Sequence, residues 1–445
     1  MTLASPVLVI GGGWAGLSAA VELARHDIPV TLLECEKQLG GRARRSQFGE
    51  IKEHNKHNID NGQHLIFGAY DSTLSLLRTV GVRERNAFKR INLSLNMLQR
   101  DTKPTKFTPG KLPAPLHFAW GLLRTTRLTL KERLIGLQFG IEMAKIDFNL
   151  KQDMSCLSLL EKFNQSKRMI QCIWEPLCRL TLNTPPEEAS ANLYLRVIRE
   201  MFSHAKTDSN LLLVKADLGS ILPDPAMDYI ERYGGSVKLG QKVTAIHISD
   251  NRISGVKLTD SNLDAKHVIL ATPYNTTTRL ISPHKMLSGI SEQLQQLESN
   301  PIITVYLQYP KNIKLGRYMV GMVDTTAQWL FDKRICGKPG LMAVVISGHG
   351  EHSALDNAAL CDKIESELAD LFPRWPKPQY RKVITEQHAT FKCDIETNSK
   401  RPKNKSPVEG LWLAGDYTDT NLPATLESAV RSGIRSAHGL IETIK

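Results

Sequence analysis

The 445-residue sequence carries no C-x-x-C pair among its 7 cysteines, and their number is odd. Their scatter (Cys35, Cys156, Cys172, Cys178, Cys336, Cys361 and Cys393) excludes a disulfide framework and offers no zinc-ligand spacing, so the expectation is a reducing compartment and no metal site. The N-terminus lacks the positive n-region of a secretory signal, because the first basic residue is Arg25; its apolar run reads as a strand. The most apolar later run, Pro115 to Leu123, is about half the length that crosses a bilayer. There is no internal repeat at solenoid periods, no long low-complexity stretch and no Ser/His/Asp nucleophile set. A net charge of +12 would suit nucleic acid, anionic lipid, an anionic ligand or a merely solvated surface, but no nucleic-acid module is present to support the first.

What is present begins almost at once. Pro6 to Ile10 is a short apolar run, followed by Gly11, Gly13 and Gly16 as G-x-G-x-x-G. Trp14, Ala15 and the small and apolar residues as far as Ala24 (Gly16, Ala19, Ala20, Leu23) have helical spacing. Pro29 to Leu33 is a second apolar run, and it ends in Glu34. Strand, glycine turn, helix, strand and acid within about thirty residues is the pattern of a dinucleotide site. Gly11 permits the tight turn, Gly13 leaves room for a pyrophosphate, and Gly16 lets the helix approach the strand. The helix N-terminus offers N–H groups and partial positive charge, and Glu34 can accept hydrogen bonds from ribose hydroxyls.

Just downstream, Leu39-Gly40-Gly41-Arg42-Ala43-Arg44 supplies a second glycine pair and an arginine that can wrap the same pyrophosphate. NAD dehydrogenases do not usually carry this extension; it resembles the FAD-containing amine oxidase and phytoene desaturase superfamily. The far end agrees. Gly410 to Asp416 reads as an apolar strand ending in Gly415-Asp416, which in that superfamily is a second FAD contact, with the aspartate on the ribityl chain. Ala424, Thr425 and Leu426 then open a helix whose apolar positions run Leu426, Ala429, Val430, Gly433, Ile434, Ala437 and Leu440. Its N-terminus would face the flavin pyrimidine edge and favour the negative charge of the reduced ring. Gly240 to Ile246, with Val243, resembles the strand whose backbone meets the adenine.

Asp60-Asn61-Gly62-Gln63-His64 with Gly68-Ala69-Tyr70 occupies the segment that runs alongside the isoalloxazine in the superfamily. Together with Leu112 to His117, Trp174 to Cys178, Leu182 to Ala191, Gln328 to Lys333 and Leu422 to Arg431, it resembles the hydroxysqualene dehydroxylases, also called squalene-associated FAD-dependent desaturases. These runs span the chain. The polar Asn55-Lys56-His57 is a local departure. The resemblance implies loss of an allylic-type hydroxyl from hydroxysqualene, with hydride from N5 of reduced FAD giving squalene on the way to hopanoid-type lipids. Departing water needs a proton donor, and the cation left behind needs a dry site. His64 is the first candidate acid, with Gln63 beside it; Glu175 and Asp332 are alternatives. Trp174, Trp329 and Phe331 are candidates to line the channel or shield the cation, or else plain core aromatics. A carotenoid-precursor desaturase and an amine oxidase remain open, as does a flavin-binding subunit without turnover.

The implied fold is α/β (α+β overall). A Rossmann-like FAD-binding domain is assembled from residues 1–84, 215–280 and 405–445, and a partly helical substrate-binding domain from 85–214 and 281–404. Helical spacing marks Leu128 to Ala144, Glu188 to Phe202 and Ala354 to Leu371; strands are expected at Ile302 to Tyr309 and Leu341 to Ser347. Gly348-His349-Gly350 followed by Ser353 imitates a second nucleotide motif but lacks its third glycine and its acid, so Ser353 reads as the N-cap of a helix from Ala354 and the electron donor stays external. Leu112 to Arg133 mixes leucines, Phe118 and Trp120 with arginines and Lys131, as an interfacial helix or a tunnel lid would. The resulting expectation is a bacterial cytoplasmic protein, peripheral on the inner face of the membrane, with no nucleic-acid partner.

Overall fold

The computed structural model describes residues 6–48 and 57–444; the polar Asn55-Lys56 lies outside them. Five short strands form a parallel sheet in the order Ser236–Lys238, Val30–Leu33, Val7–Ile10, Val268–Leu270 and Leu411–Leu413. All four pairings are parallel, and Leu8 stands beside Thr31 on one side and Val268 on the other. A parallel sheet covered on both faces favours uninterrupted apolar strands, and VLVI, VIL and LWL are of that kind. The sheet therefore gathers strands from near both chain ends and from the middle.

Two helices seal one side of this sheet. Trp14–Arg25 follows the glycine turn, and Leu426–Ile444 closes the chain. They meet at backbone distance: a Cβ on Gly433 would collide with Ala15 O and Ser18 Oγ, and Ser18 Oγ also reaches Val430 O at 3.3 Å. Glycine at 433 is required by this approach.

A second sheet has seven strands in the order Tyr380–Phe391, Ser299–Gln308, Leu341–Ser347, Trp329–Asp332, Met319–Met322, Leu95–Leu98 and Thr105–Phe107. Only the Met319–Met322 and Leu95–Leu98 pairing is parallel. Alternation gives the sheet two apolar faces. Val305, Leu307, Leu330, Met342 and Val344 pack with Leu360, Ile364 and Leu368 of the helix Asn357–Leu371. Tyr306, Trp329, Phe331, Ala343 and Val345 face the main core, which also holds Leu177, Tyr194 and Ile198 of the helices Glu175–Leu182 and Ala191–Phe202.

Several expectations shift. The stretch after residue 85 contains the strands Phe88–Ile91, Leu95–Leu98, Thr105–Phe107 and Leu211–Val214, all too short to show a period in sequence. Leu211–Val214 pairs with both Leu65–Phe67 and Phe88–Ile91. The long helix after Ser353 starts instead at Asn357, because Asp356 accepts from Ala359 N (2.8 Å) and Ser353 lies in a 3-10 turn. Leu112 to Arg133 is not one helix. Leu116–Arg124 ends, Arg127 takes a φ of 64°, and Thr129 with Glu132 forms the capping box that starts Leu130–Lys145.

Candidate active site

The glycine turn divides its labour. Gly11 has φ +109°, and a Cβ there would lie 2.6 Å from Ala271 O, so the turn itself demands glycine. Gly16 packs onto the Gly11 carbonyl. Gly13 differs: its φ is −74°, and a Cβ would meet nothing within 4 Å. It borders open space at the start of a helix that has no side-chain cap and no acid in its first turn. First-turn N–H groups without a cap form an anion cradle. Trp14 anchors the wall by donating its indole Nε1–H to Ala43 O at 3.2 Å, and Ala15 is held against Gly433.

The second glycine pair folds onto the first. Gly40 N donates to Gly12 O (2.8 Å), and Gly41, with φ +57°, places its Cβ position 3.1 Å from Gly13 Cα. Glu34 ends its strand beside this turn, accepting from Gly12 N at 2.5 Å through one oxygen and from Glu36 N at 2.8 Å through the other. Gln241 N donates to Glu34 O (2.8 Å) and Gly240 N to Glu36 O (3.0 Å), which brings the strand Val243–Ser249 next to the acid.

Arg42 crosses from this turn to the C-terminal part of the chain. It bonds Asp416 Oδ1 at 2.5 Å and Ala389 O at 2.9 Å. Asp416 follows Gly415, whose N–H donates to Ser432 Oγ at 2.9 Å. The loop from Asp416 to Leu422 is tied by Arg401, a buried guanidinium that donates to the carbonyls of Asp416, Thr418 and Leu422 and to Thr420 Oγ1. It also lies 4.8 Å over the Phe391 ring. After Ala424, Thr425 Oγ1 accepts from Ser428 N (3.1 Å) and so starts the helix at Leu426. Glu427, 1% exposed, then receives Ser72 N, Thr73 N, Thr73 Oγ and Arg431, locking this turn to the helix Asp71–Thr79.

Between these walls runs Asp60 to His64. Asn61 pins the Arg42–Arg44 turn, accepting from Arg44 N (3.0 Å) and donating to Arg42 O (2.7 Å). Asp60 accepts from Leu218 N at 2.8 Å, and burial pushes its carboxyl up against the pull of Lys333. Its backbone oxygen takes the Tyr306 hydroxyl at 3.0 Å. Gln63 Oε1 accepts from Lys333 Nζ at 2.9 Å. Gly62 sits under Thr304, whose Oγ1 would be 3.6 Å from a Cβ at that position. His64 and Arg42 lie deep in the protein yet keep part of their surface open, as residues lining an internal space do.

His64 lies beside Gly62 at this turn. Burial, reinforced by the fields of Lys333 and Arg42, pushes its imidazole down to about 4. Its Nδ1 lies 3.1 Å from Gly62 O, where a neutral ring donates. A neutral imidazole near pH 7 is a weak proton donor. The other two candidate acids stand apart. Glu175 pairs with Arg179 (2.8 Å) and lines a solvent-open polar cleft of about 520 Å³, together with Gln328, Trp329 and His349-Gly350 of the false nucleotide motif. Asp332 is a cap: its two oxygens accept from Arg334 N (2.9 Å) and Leu315 N (3.1 Å), and strand alternation turns it to the face opposite Phe331 and Lys333. Trp174 is a core aromatic, its Nε1 bonded to Gln165 Oε1 at 2.9 Å.

Sequence reading did not single out Lys333, which bonds Gln63 and lies one position after Asp332. Period-two alternation from Trp329 would have found it. Arg401 and Thr304 carried no local signal. One cluster of metal-ligand type also went unseen: Glu22, His26 and His438 converge where the first and last helices pack, but Arg25 takes the same Glu22 oxygen at 2.8 Å.

Taken together, the uncapped helix start, the open space at Gly13, the doubled glycine turn and Glu34 define a dinucleotide-binding protein of the kind that closes both chain ends around a flavin. The sequence profile of flavin containing amine oxidoreductases matches residues 14–441, and the chain belongs to that family. It is an FAD-dependent oxidoreductase. The chain is 26% identical over 98% of both sequences to the hydroxysqualene dehydroxylase of Rhodopseudomonas palustris. It is 24% identical to the 15-cis-phytoene desaturase of Arabidopsis thaliana, covering 98% of this chain and 80% of that one. Among solved structures, an oxidoreductase from Methanosarcina mazei superimposes with a TM-score of 0.75 at 15% identity, covering 98% of this chain and all of the other.

Proposed function

We propose that this enzyme removes the hydroxyl of hydroxysqualene reductively, giving squalene. The observation that carries the reading is the end-to-end match to a hydroxysqualene dehydroxylase, which extends through the seven-stranded sheet and the helices packed on it as well as the nucleotide turn. In this reading Gly11, Gly13, Gly16 and the first turn of Trp14–Arg25 cradle the pyrophosphate, with Gly40, Gly41 and Arg42 on its other side. Glu34 and the Val243 strand hold the adenosine end, Asp416 the ribityl chain, and Ala424 to Leu426 the pyrimidine edge. FAD, when bound and reduced, supplies the hydride. Gly62, Gln63 and His64 face the reacting centre, and the Tyr306 and Phe331 face of the sheet keeps water from the cation.

An isoprenoid of this size partitions into lipid, and one surface suits a bilayer. Leu112, Leu116, Trp120, Leu130, Leu134, Ile141 and Ile146 are all exposed large apolar residues on the two helices between 112 and 146 and their flanks. Exposed Lys111, Arg124, Lys131 and Lys145 border them. We propose that this pair of helices rests on anionic lipid from the cytoplasmic side. No helix among the described residues is long and apolar enough to cross a membrane. The 15-cis-phytoene desaturase match favours a second reading, oxidation of a carotenoid precursor on the same scaffold. Anaerobic incubation separates the two. Dithionite-reduced enzyme converts hydroxysqualene to squalene under the first reading, whereas oxidised enzyme desaturates phytoene under the second; conversion of phytoene alone overturns the dehydroxylase assignment.

A further inference from the structure

The polar floor of the site contains an ammonium with spare donors. Lys333 is 3% exposed, and among the described residues the one hydrogen bond of its ammonium is to Gln63 Oε1 at 2.9 Å, with no carboxylate within salt-bridge distance. An ammonium has three N–H donors, and burying one without acceptors is costly. The same sheet carries a second unsatisfied group. Thr304 is 1% exposed and its Oγ1 has no partner, although it lies over Gly62. In the sheet register Thr304 is beside Val345, which is beside Trp329, while Lys333 opens the 3-10 turn that follows this strand, four residues beyond Trp329. A buried ammonium with donors to spare calls for an oxygen acceptor beside it.

We propose that Lys333 is the proton donor for the departing hydroxyl, oriented by Gln63. The inference rests on the dehydroxylase reading. The ammonium N–H bond breaks and its proton goes to the hydroxyl oxygen. The C–O electron pair leaves with that oxygen as water, and the allylic cation is closed by hydride from reduced FAD, leaving Lys333 as the neutral amine until it regains a proton from water. Geometry removes the rivals. His64 is neutral and bonded to Gly62 O, Glu175 is paired in another cleft, and Asp332 caps a turn on the far face. Asp60 spends an oxygen on the Leu218 amide, and burial pushes its carboxyl up against the pull of Lys333.

The test compares wild type, Lys333→Met and Lys333→Gln. FAD absorbance and melting temperature report folding, quenching of tryptophan fluorescence by squalene reports the pocket, and single-turnover assays use hydroxysqualene and its allylic acetate, whose leaving group departs without protonation. Both variants should keep FAD and bind squalene within about threefold of wild type. They should lose on the order of 100-fold or more with the alcohol and stay within about tenfold of wild type with the acetate. Equal loss on both substrates, near-normal turnover of the alcohol, or loss of FAD from both variants overturns the assignment of Lys333. Wild type that does not turn over the alcohol, with FAD bound and reduced, instead overturns the dehydroxylase reading and the role of Lys333 with it.

Discussion

In the reading proposed above, the two sheets meet ligand in opposite ways. At the parallel sheet the contact surface is backbone: an uncapped helix turn, the open side of Gly13 and the Gly40-Gly41 pair folded onto it. At the seven-stranded sheet it is side chain: Thr304, Tyr306, Trp329, Phe331 and Lys333. A backbone site can be blocked by any added atom while the fold tolerates the change. A side-chain site can lose its chemistry while the pocket stays open. The difference teaches that cofactor binding and turnover should separate cleanly by mutation.

The largest effect expected on the backbone side is from Gly13→Val. Nothing in the fold opposes a side chain there, so the variant should fold and melt within a few degrees of FAD-free wild type, yet purify colourless. Gly11→Ala sharpens the contrast. Its φ of +109° and the Ala271 carbonyl 2.6 Å away make the position strained for any side chain, so this variant should lose stability itself. A yellow Gly13→Val protein, or a Gly11→Ala protein as stable as wild type, breaks the distinction.

Next in size is Glu427→Ala. This buried carboxylate collects two backbone amides, a threonine hydroxyl and Arg431 across the junction of the last helix with Asp71–Thr79. Removing one partner of a buried ion pair costs about 3–5 kcal/mol. Denaturant unfolding should show a midpoint shift of that order, and a shift of less than ~1 kcal/mol would mean that the amides find other acceptors.

The backbone site was legible because its rules are local. Glycine spacing, strand, helix and acid all fall between Val7 and Glu34, and the elements lie where that spacing puts them. The side-chain site was legible only in its identity as a set of runs. Which residue of Gln328 to Lys333 faces inward depends on the sheet register, and Asp332 and Lys333 exchange places on a one-residue slip. His64 reads as an acid because its intrinsic range suits proton transfer; the burial that lowers it is set by the fold, and the cations that add to it, Lys333 and Arg42, lie far away in sequence. Arg401 was invisible for the same reason, as its acceptors are set by how the loop from Asp416 to Leu422 closes. The short strands between residues 88 and 107 were missed because three or four residues cannot display a period.

His64 itself offers a titration that probes the side-chain site without turnover. Its ordinary value of 6.5 applies to the unfolded chain and about 4 to the folded one. Between these the unfolded state binds the extra proton, so the residue costs stability progressively as pH falls from about 7 towards 4, and the cost is absent above about 7. The full difference approaches ~3 kcal/mol. His64→Gln should therefore flatten the acid limb of the stability curve, measured by urea unfolding at a series of pH values. Parallel curves for the two proteins would place the imidazole in solvent.

The smallest effect lies outside both sheets, on the helix Leu130–Lys145. Leu130, Leu134 and Ile141 are 65%, 51% and 58% exposed, and their spacing of four and seven residues puts them on one face. Such a face has no reason to stay apolar in water unless it meets lipid or another protein. Thr129 and Glu132 cap the helix, so a substitution at 134 leaves its start intact. Leu134→Ser should weaken flotation with anionic vesicles by roughly fivefold, the order expected from about 1 kcal/mol of apolar area withdrawn from acyl chains. Melting temperature and turnover of detergent-dispersed substrate should not move, because the side chain packs on nothing that holds the fold. Rising salt should weaken both proteins alike through the bordering cations, leaving the ratio between them constant. A variant that floats like wild type at every salt concentration would assign this face to a protein partner or to water, and the bilayer would then have to reach the tunnel by another side.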